Sequence, residues 1–365
     1  MSEDEYLEEL FFPHNRRESR KERKIASNTD RSQYKKSDQE KRLKQKKQIL
    51  SGERARVLSI VGNQVSLACG DETLQAVLKG RLKKSRSREK NLIVVGDFVR
   101  FERQADGLSV IHQVEERKSS LYRSDNLSRR KRHLIAANVD IVFITVSVLE
   151  PPLKPFIIDR YLIAAKQGNM EPVLVVNKMD LLQDTRFSEE EIVEQEAMVN
   201  ELSSAYPELD IFFVSALEKE SLAAIVDKMK NRASVFSGQS GVGKSCLINQ
   251  LTGRKLKTGK VVHKTRKGAH TTTQGMLFPL DCGGFCVDTP GIKSFGLWQL
   301  EKQEIEGFFE QIHDLSANCQ FSDCLHLEEP ACAIKEALED GTLSPLRFQS
   351  YLALMQEIDE KHLGR

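Results

Sequence analysis

Residues 234–251 read SVFSGQSGVGKSCLINQL. A β-branched and aromatic triplet runs directly into Gly238, Gln239, Ser240, Gly241, Val242, Gly243, Lys244 and Ser245, and an apolar-periodic helical stretch follows. The form is G-x-x-x-x-G-K-S in a strand–loop–helix context. Glycines let successive backbone N–H groups curl around phosphates, the helix N-terminus adds positive potential, and a lysine reaches the β and γ oxygens. Ser245 then offers its hydroxyl to Mg²⁺. Working outward, VDIVFITVSVL (139–149), PVLVV (172–176) and IFFV (211–214) read as buried strands. They alternate with the helical segments 156–167, 190–205 and 221–229. Such alternation predicts a parallel sheet covered by helices, an α/β domain.

The base is chosen by a second motif. Asn177, Lys178, Met179 and Asp180 form N-K-x-D immediately past a predicted strand, where open α/β sheets bind ligands. A carboxylate at Asp180 accepts from both N1–H and the N2 amino group of guanine. Adenine presents no such donor pair and would leave that carboxylate facing an acceptor, a buried mismatch. Lys178 is expected to lay its stem over the nucleotide and Asn177 to tie loops together. Ser215, Ala216 and Leu217, at the end of IFFV, fit the second base-side loop, whose backbone N–H meets guanine O6.

DTPG (288–291) follows the strand FCV and has the form of a Mg²⁺/γ-phosphate element, with Asp288 holding the metal through water and the Gly291 N–H sensing the γ-phosphate. KGAHTTT (267–273) lies between the P-loop and DTPG. Thr272 is the expected Mg²⁺ ligand there, with Thr271 the neighbouring alternative. The motif order is N-K-x-D, S-A-L, P-loop, threonine loop, DTPG, whereas GTPases ordinarily begin with the P-loop. The chain thus resembles the circularly permuted GTPases, a rearrangement that closely spaced domain termini permit.

Seven cysteines are an odd number for a disulfide framework, and three fall within residues 319–332. Cys319, Cys324, His326 and Cys332 follow C-x₄-C-x-H-x₅-C, three thiolates and one imidazole suited to closed tetrahedral zinc. Cys69, Cys246, Cys282 and Cys286 lack such spacing and read as ordinary core thiols.

Upstream of the α/β pattern, residues 53–118 carry five short alternating strand candidates separated by Gly, Asn and Asp turns, which predicts a small antiparallel barrel. Its third and fourth strands are linked by KGRLKKSRSREK, with seven basic residues and one acid from Lys79 to Lys90. That charge suits an RNA backbone, as does the RRKR run at 129–132. The overall charge of +2 conceals an asymmetry: residues 1–15 hold five acids and no Lys or Arg, and 16–47 hold fourteen Lys or Arg against five acids. Residues 1–50 have too little apolar surface to offset ordering entropy and are expected to be a disordered basic arm, either nucleic-acid-binding or merely solvated. The start MSEDEYLEEL lacks the features of a secretory signal, and no run approaches a membrane span, so a cytoplasmic protein without membrane contact is expected.

Together, permuted G motifs, a preceding barrel and a following C-x₄-C-x-H-x₅-C segment resemble the ribosome small-subunit-dependent GTPase A (RsgA, or YjeQ) family over roughly residues 51–365. The resemblance implies an OB-fold barrel over 51–118, a permuted P-loop GTPase over 119–298, and a mostly helical zinc-binding domain over 299–365. It further implies a monomeric GTP hydrolase with one structural zinc and Mg²⁺ beside GTP, which binds the small ribosomal subunit and its rRNA during late maturation and leaves after hydrolysis to GDP. A GTP-gated RNA-binding checkpoint, or a GTPase acting on another RNA, are the alternative expectations. Ile292 stands after DTPG where many GTPases carry a water-orienting Gln, so hydrolysis is expected to need another group. His270, which the family also carries before the threonines, is the catalytic candidate beside Lys244 and Thr272; a phosphate- or RNA-contacting role is the alternative for it.

Overall fold

The computed structural model describes residues 52–79, 92–105, 107–124, 132–253, 275–288, 302–327 and 329–363. The first five strands, β1 (Glu53–Val61), β2 (Gln64–Cys69), β3 (Glu72–Leu78), β4 (Phe98–Arg103) and β5 (Ser109–Val114), close a barrel in the order β1-β2-β3-β5-β4. This is the strand order of an OB-fold. β1 pairs antiparallel with both β2 and β4, and β3 runs parallel to β5. Alternation with period two puts Ala55, Val57, Val65, Leu67, Val99, Phe101 and Ile111 inside.

LIVVGDFVRF reads in sequence as one strand, but β4 begins only at Phe98. Asp97, fully buried, accepts from the Val94 N–H at 2.8 Å and pairs with Arg117 at 2.7 Å, which bends residues 94–97 into a turn. Gly96 is required there: at φ +86° an added Cβ would lie 2.0 Å from the Ala137 carbonyl oxygen. The residues flanking the RRKR run also differ from expectation: β6 (Ser120–Ser124), before it, pairs antiparallel with β7 (Arg132–Ala137), which begins at its last arginine, and the α/β alternation starts only after them.

The central sheet has the order β10-β9-β8-β11-β13-β12. Its strands are β8 (Ile141–Ser147), β9 (Glu171–Asn177), β10 (Asp210–Phe213), β11 (Ala233–Ser237), β12 (Met276–Pro279) and β13 (Phe285–Asp288). All pairings are parallel except the edge pair β12–β13. Every residue of β8 is buried because both faces are covered. Val142, Ile144 and Val146 meet α1 (Pro155–Gln167) and α2 (Glu189–Ala205), whose capping box is Ser188 with Glu191. Ile141 and Phe143 face the opposite cluster with α3 (Ala223–Met229) and α4 (Lys244–Thr252).

The C-terminal region consists of α5 (Lys302–Ile305), a 3₁₀ turn (Glu306–Phe308), α6 (Glu310–Ser316), α7 (Ala333–Glu339) and α8 (Pro345–Leu363). Its core of Ile305, Phe309, Ile312, Ile334, Tyr351 and Leu354 incorporates Ile163 of α1 and the thiols of Cys324 and Cys332. Among the described residues, no helix is long and apolar enough to cross a membrane.

Candidate functional site

Parallel strands bring their C-terminal ends to one side, and the motifs gather there. Ser147 of β8 lies opposite Asn177 of β9, and Phe213 of β10 opposite Val176. Ser237, the last residue of β11, lies opposite Ile144. Beyond β11 the chain turns at Gly238, whose φ of +143° and close approach admit no side chain: a Cβ would sit 2.0 Å from the Thr145 carbonyl oxygen. Gly243, at φ +92°, is similarly constrained by the Asn177 amide, 2.3 Å from where a Cβ would be. α4 starts at Lys244, with Ser245 next in its first turn. The Lys244 ammonium arches back over the loop, donating to the carbonyls of Gly238 at 2.7 Å and Gln239 at 2.6 Å. Gln239 is half-buried, Ser240 and Gly241 are exposed, and Val242 is buried. The loop is thus an anion cradle, with exposed backbone backed by a cation and a helix N-terminus.

Asn177 is 1% exposed and joins two loops. Its Nδ2 donates to the Val242 carbonyl at 2.8 Å, and its Oδ1 accepts from the Ala216 N–H at 3.1 Å. The bond from this loop to a base oxygen, expected from the sequence, therefore competes with an existing one. Lys178 adopts the left-handed conformation at φ +64°, and its ammonium donates to the Glu150 carbonyl at 2.5 Å. Burial lowers its pKa, opposed by Glu150 and Asp180. The Met179 N–H donates to the Val214 carbonyl at 3.2 Å. Asp180 accepts from the Ser215 hydroxyl at 2.6 Å, so one carboxylate oxygen is anchored.

Two parts of this site carry no motif. The stretch 148–154, following β8, walls the P-loop: Pro151 Cδ would be 3.5 Å from a Cβ at Gly241, and Ser147 donates to the Pro151 carbonyl at 2.7 Å. The Pro151-Pro152 pair after a buried strand was the available signal. Ser221 supports the base-side loop, its hydroxyl accepting from the Ser215 N–H at 3.2 Å. Asp288 closes β13 opposite Met276, beside the P-loop strand. His270, Thr271, Thr272, Gly291 and Ile292 lie outside the described residues, as do the arm 1–50, residues 80–90 of the basic loop and residues 129–131.

In the C-terminal region Cys319, Cys324, His326 and Cys332 bring their ligand atoms within 4.8 Å of one another. His326 Nδ1 is 3.6 Å from Cys319 Sγ and 3.5 Å from Cys332 Sγ, and the latter two sulfurs are 4.0 Å apart. Edges of a tetrahedral Cys₃His zinc site are roughly 3.5–3.8 Å given the usual bond lengths, so the donor set fits that ion. The outer His326 nitrogen faces Glu306 at 3.6 Å, and Glu306 is itself held by the Ser316 hydroxyl at 2.5 Å. At that separation the buried nitrogen makes no hydrogen bond among the described residues, and Glu306 is the carboxylate nearest to it. Burial, with neighbouring thiols adding, pushes the Cys324 thiol up to about 12, so a cation is needed to hold its thiolate at neutral pH. Of the other thiols, Cys286 is buried and Cys69, Cys246 and Cys282 are partly so.

Residues 114–298 match the RsgA GTPase family. The chain is 37% identical over 290 residues to the small ribosomal subunit biogenesis GTPase RsgA 2 of Bacteroides thetaiotaomicron, covering 79% of this chain and 91% of that one. It is 38% identical over 287 residues to the small ribosomal subunit biogenesis GTPase RsgA of Chlorobaculum parvum, covering 76% and 88%. The crystal structure of YjeQ from Thermotoga maritima superposes with a TM-score of 0.66 at 31% identity, covering 86% of this chain and 99% of that chain. YloQ, described as a circularly permuted GTPase, shares the fold with a TM-score of 0.64 at 24% identity over 85% of this chain and 96% of its own. With the P-loop following the N-K-x-D and Ser-Ala-Leu loops along a single sheet, this chain belongs to the RsgA GTPase family.

Proposed function

We propose that this protein is a GTP hydrolase acting in biogenesis of the small ribosomal subunit, as a monomer in the cytoplasm, and that nucleotide state times its attachment to that subunit. The observation that carries the nucleotide reading is Asn177, which ties the P-loop to the Ser215–Leu217 loop beside the anchored carboxylate of Asp180. Phosphates lie on Gly238–Lys244, and guanine on Asp180 and the Ser215–Ala216 loop. Ser245, Thr272 and Asp288 hold Mg²⁺, which neutralises charge on the phosphates when bound. Zinc is the ion of the Cys319, Cys324, His326 and Cys332 cluster.

Hydrolysis adds water to the γ-phosphorus and releases GDP and phosphate. Lys244 stabilises charge on the transferred group, and the Gly291 N–H reads its presence. Ile292 has no group to orient water, so His270 is assigned that role on the subunit. The basic loop from Lys79 to Lys90 and the run 129–132 contact rRNA phosphates, with the arm at 16–47 a further electrostatic contact.

The test is co-sedimentation with purified small subunits and turnover on them. Attachment is expected with a non-hydrolysable GTP analogue and to be weak with GDP, and turnover to rise ~10³- to 10⁵-fold on the subunit, the range seen when GTPases receive a missing catalytic group. His270→Ala should retain attachment and lose most of the stimulation. Equal attachment in both nucleotide states, with turnover unchanged by the subunit, would overturn the reading.

A further inference from the structure

The largest fully buried side chain among the described residues is a charged one. Arg347, near the start of α8, is 2% exposed. Its guanidinium pairs with Glu208 at 3.0 Å and Asp159 at 3.5 Å, and lies 4.5 Å from the Tyr206 ring centroid and 5.1 Å from that of Phe309. Tyr206 donates its hydroxyl to the other oxygen of Asp159 at 2.7 Å. One cation thus sits between two carboxylates and two aromatic faces, at the seam where the C-terminal region meets α1. A buried ion group is weak evidence for stability, since apolar replacements often serve as well, but removing one partner strands the others. Such a group is better suited to fixing one arrangement of two packed bodies.

What α1 positions gives that arrangement a consequence. Asp159 lies in its second turn, and the helix is entered directly from residues 148–154. Glu150 of that stretch receives the Lys178 ammonium, and Pro151 abuts Gly241. The stretch is also pinned to α2, where the buried Gln195 side chain accepts from the Leu153 N–H at 3.0 Å. α2 in turn meets the C-terminal region, Ser344 donating to Glu201 at 2.7 Å. One turn on from Arg347, the same face of α8 carries Tyr351, whose ring centroid lies 6.0 Å from that of His326 of the metal cluster at a 50° tilt. Among the described residues, a continuous set of packed groups therefore runs from the metal cluster to the base-side wall of the nucleotide site.

We propose that Arg347 is a positioning residue for the nucleotide site: through Asp159 it sets α1, and with it the 148–154 wall against Lys178 and Gly241, so that docking of the C-terminal region governs how long the guanine nucleotide is retained. This inference rests on the guanine-nucleotide reading of the site. The wall touches the base-side lysine and the P-loop, which hold the parts of the nucleotide that GDP and GTP share. Loosening it therefore accelerates loss of GDP and GTP alike, whereas coupling through the switch loops would change GTP alone.

The experiment measures release of fluorescent GDP and of a fluorescent non-hydrolysable GTP analogue from the full chain, with zinc content as a control. Arg347→Met should raise both release rates about tenfold by a similar factor, with zinc retained, and Arg347→Lys should recover part of the loss. Because Arg347→Met leaves buried Asp159 and half-buried Glu208 without their cation, the triple variant Arg347→Met, Asp159→Asn, Glu208→Gln removes all three charges while keeping the shape of the two acids, and should show the same faster release. A folded triple variant with wild-type release rates, or a change confined to the GTP analogue, would overturn the proposal. A wild-type chain that binds neither nucleotide would instead refute the underlying function.

Discussion

At the barrel's junction with the sheet, backbone groups are bonded to backbone and sealed by two side chains, whereas at the C-terminal junction side chains meet side chains. On the barrel side the Ala137 N–H donates to the Val95 carbonyl at 2.9 Å, and Gly96 lies flat against Ala137. Asn138 seals the seam by donating to the Gly96 carbonyl at 3.0 Å, and Arg56, between the rings of Phe98 and Phe285, donates to the Asn138 carbonyl. On the C-terminal side, Arg347 with Asp159 and Glu208 is joined by Arg160–Glu357 at 2.9 Å and Lys166–Glu310 at 2.9 Å. A backbone seam has one register and little response to protonation. A charged seam responds to charge, to pH and to whatever orders the region behind it. The protein thus has a barrel seated by backbone register on one flank and a C-terminal region seated by paired charges on the other.

The contrast breaks most visibly if the metal is removed. Cys332→Ser should abolish zinc binding and cost the C-terminal region much of its amide-exchange protection, since binding energies of structural zinc sites, about 10–16 kcal/mol, are folding free energy for the segment that carries the ligands. The barrel and sheet should keep their protection. Hydrogen exchange showing a protected C-terminal region in zinc-free protein would contradict this.

The barrel flank is tested by Gly96→Val. A side chain there would meet the Ala137 carbonyl at 2.0 Å in a conformation that L-residues avoid, so a loss on the order of 3–5 kcal/mol is expected in urea unfolding. Gly62→Ala is the control, at φ +60° with nothing within 4 Å, and should cost only about 1–2 kcal/mol. Equal losses would mean that the seam contributes nothing beyond backbone strain.

A smaller effect concerns pH. Burial raises the Asp159 carboxyl to about 6, opposed by Arg347 and by hydrogen bonds from Tyr206 and Ser350, with Glu208 adding to the rise. The folded state therefore binds this proton more tightly than the unfolded chain, so the group's unfavourable contribution is full above about pH 6 and disappears as pH falls toward 4. Relative to Asp159→Asn, the wild type should gain on the order of 1–3 kcal/mol between pH 7 and pH 4.5. Parallel stability profiles would show that the carboxyl is not perturbed.

Much of the site was legible because phosphate and guanine recognition demand particular residues at particular strand ends. The P-loop, Asn177, Asp180 and Ser215 fall together at the strand ends, and Cys319, Cys324, His326 and Cys332 bring their ligand atoms within 4.8 Å of one another, as their spacing suggests. What escaped the sequence has no local signature. Nothing about Arg347 as a residue in a helical stretch announces that it is buried against Asp159, 188 positions earlier. The wall at 148–154 works through a backbone carbonyl and a proline ring, which any sequence can supply. LIVV, at 92–95, has strand composition, yet the buried Asp97–Arg117 pair bends it, a tertiary effect overriding propensity.

The central claim, a guanine site assembled from loops in permuted order, is tested most directly by calorimetry of GTP, GDP, ATP and xanthosine triphosphate binding to the wild type and to Asp180→Asn. GTP and GDP should bind and ATP should not, while the variant should lose GTP affinity by at least about 100-fold and gain affinity for the xanthine nucleotide, which offers an acceptor where guanine has its amino group. ATP binding as tightly as GTP, or an Asp180→Asn variant with unchanged preference, would contradict the assignment.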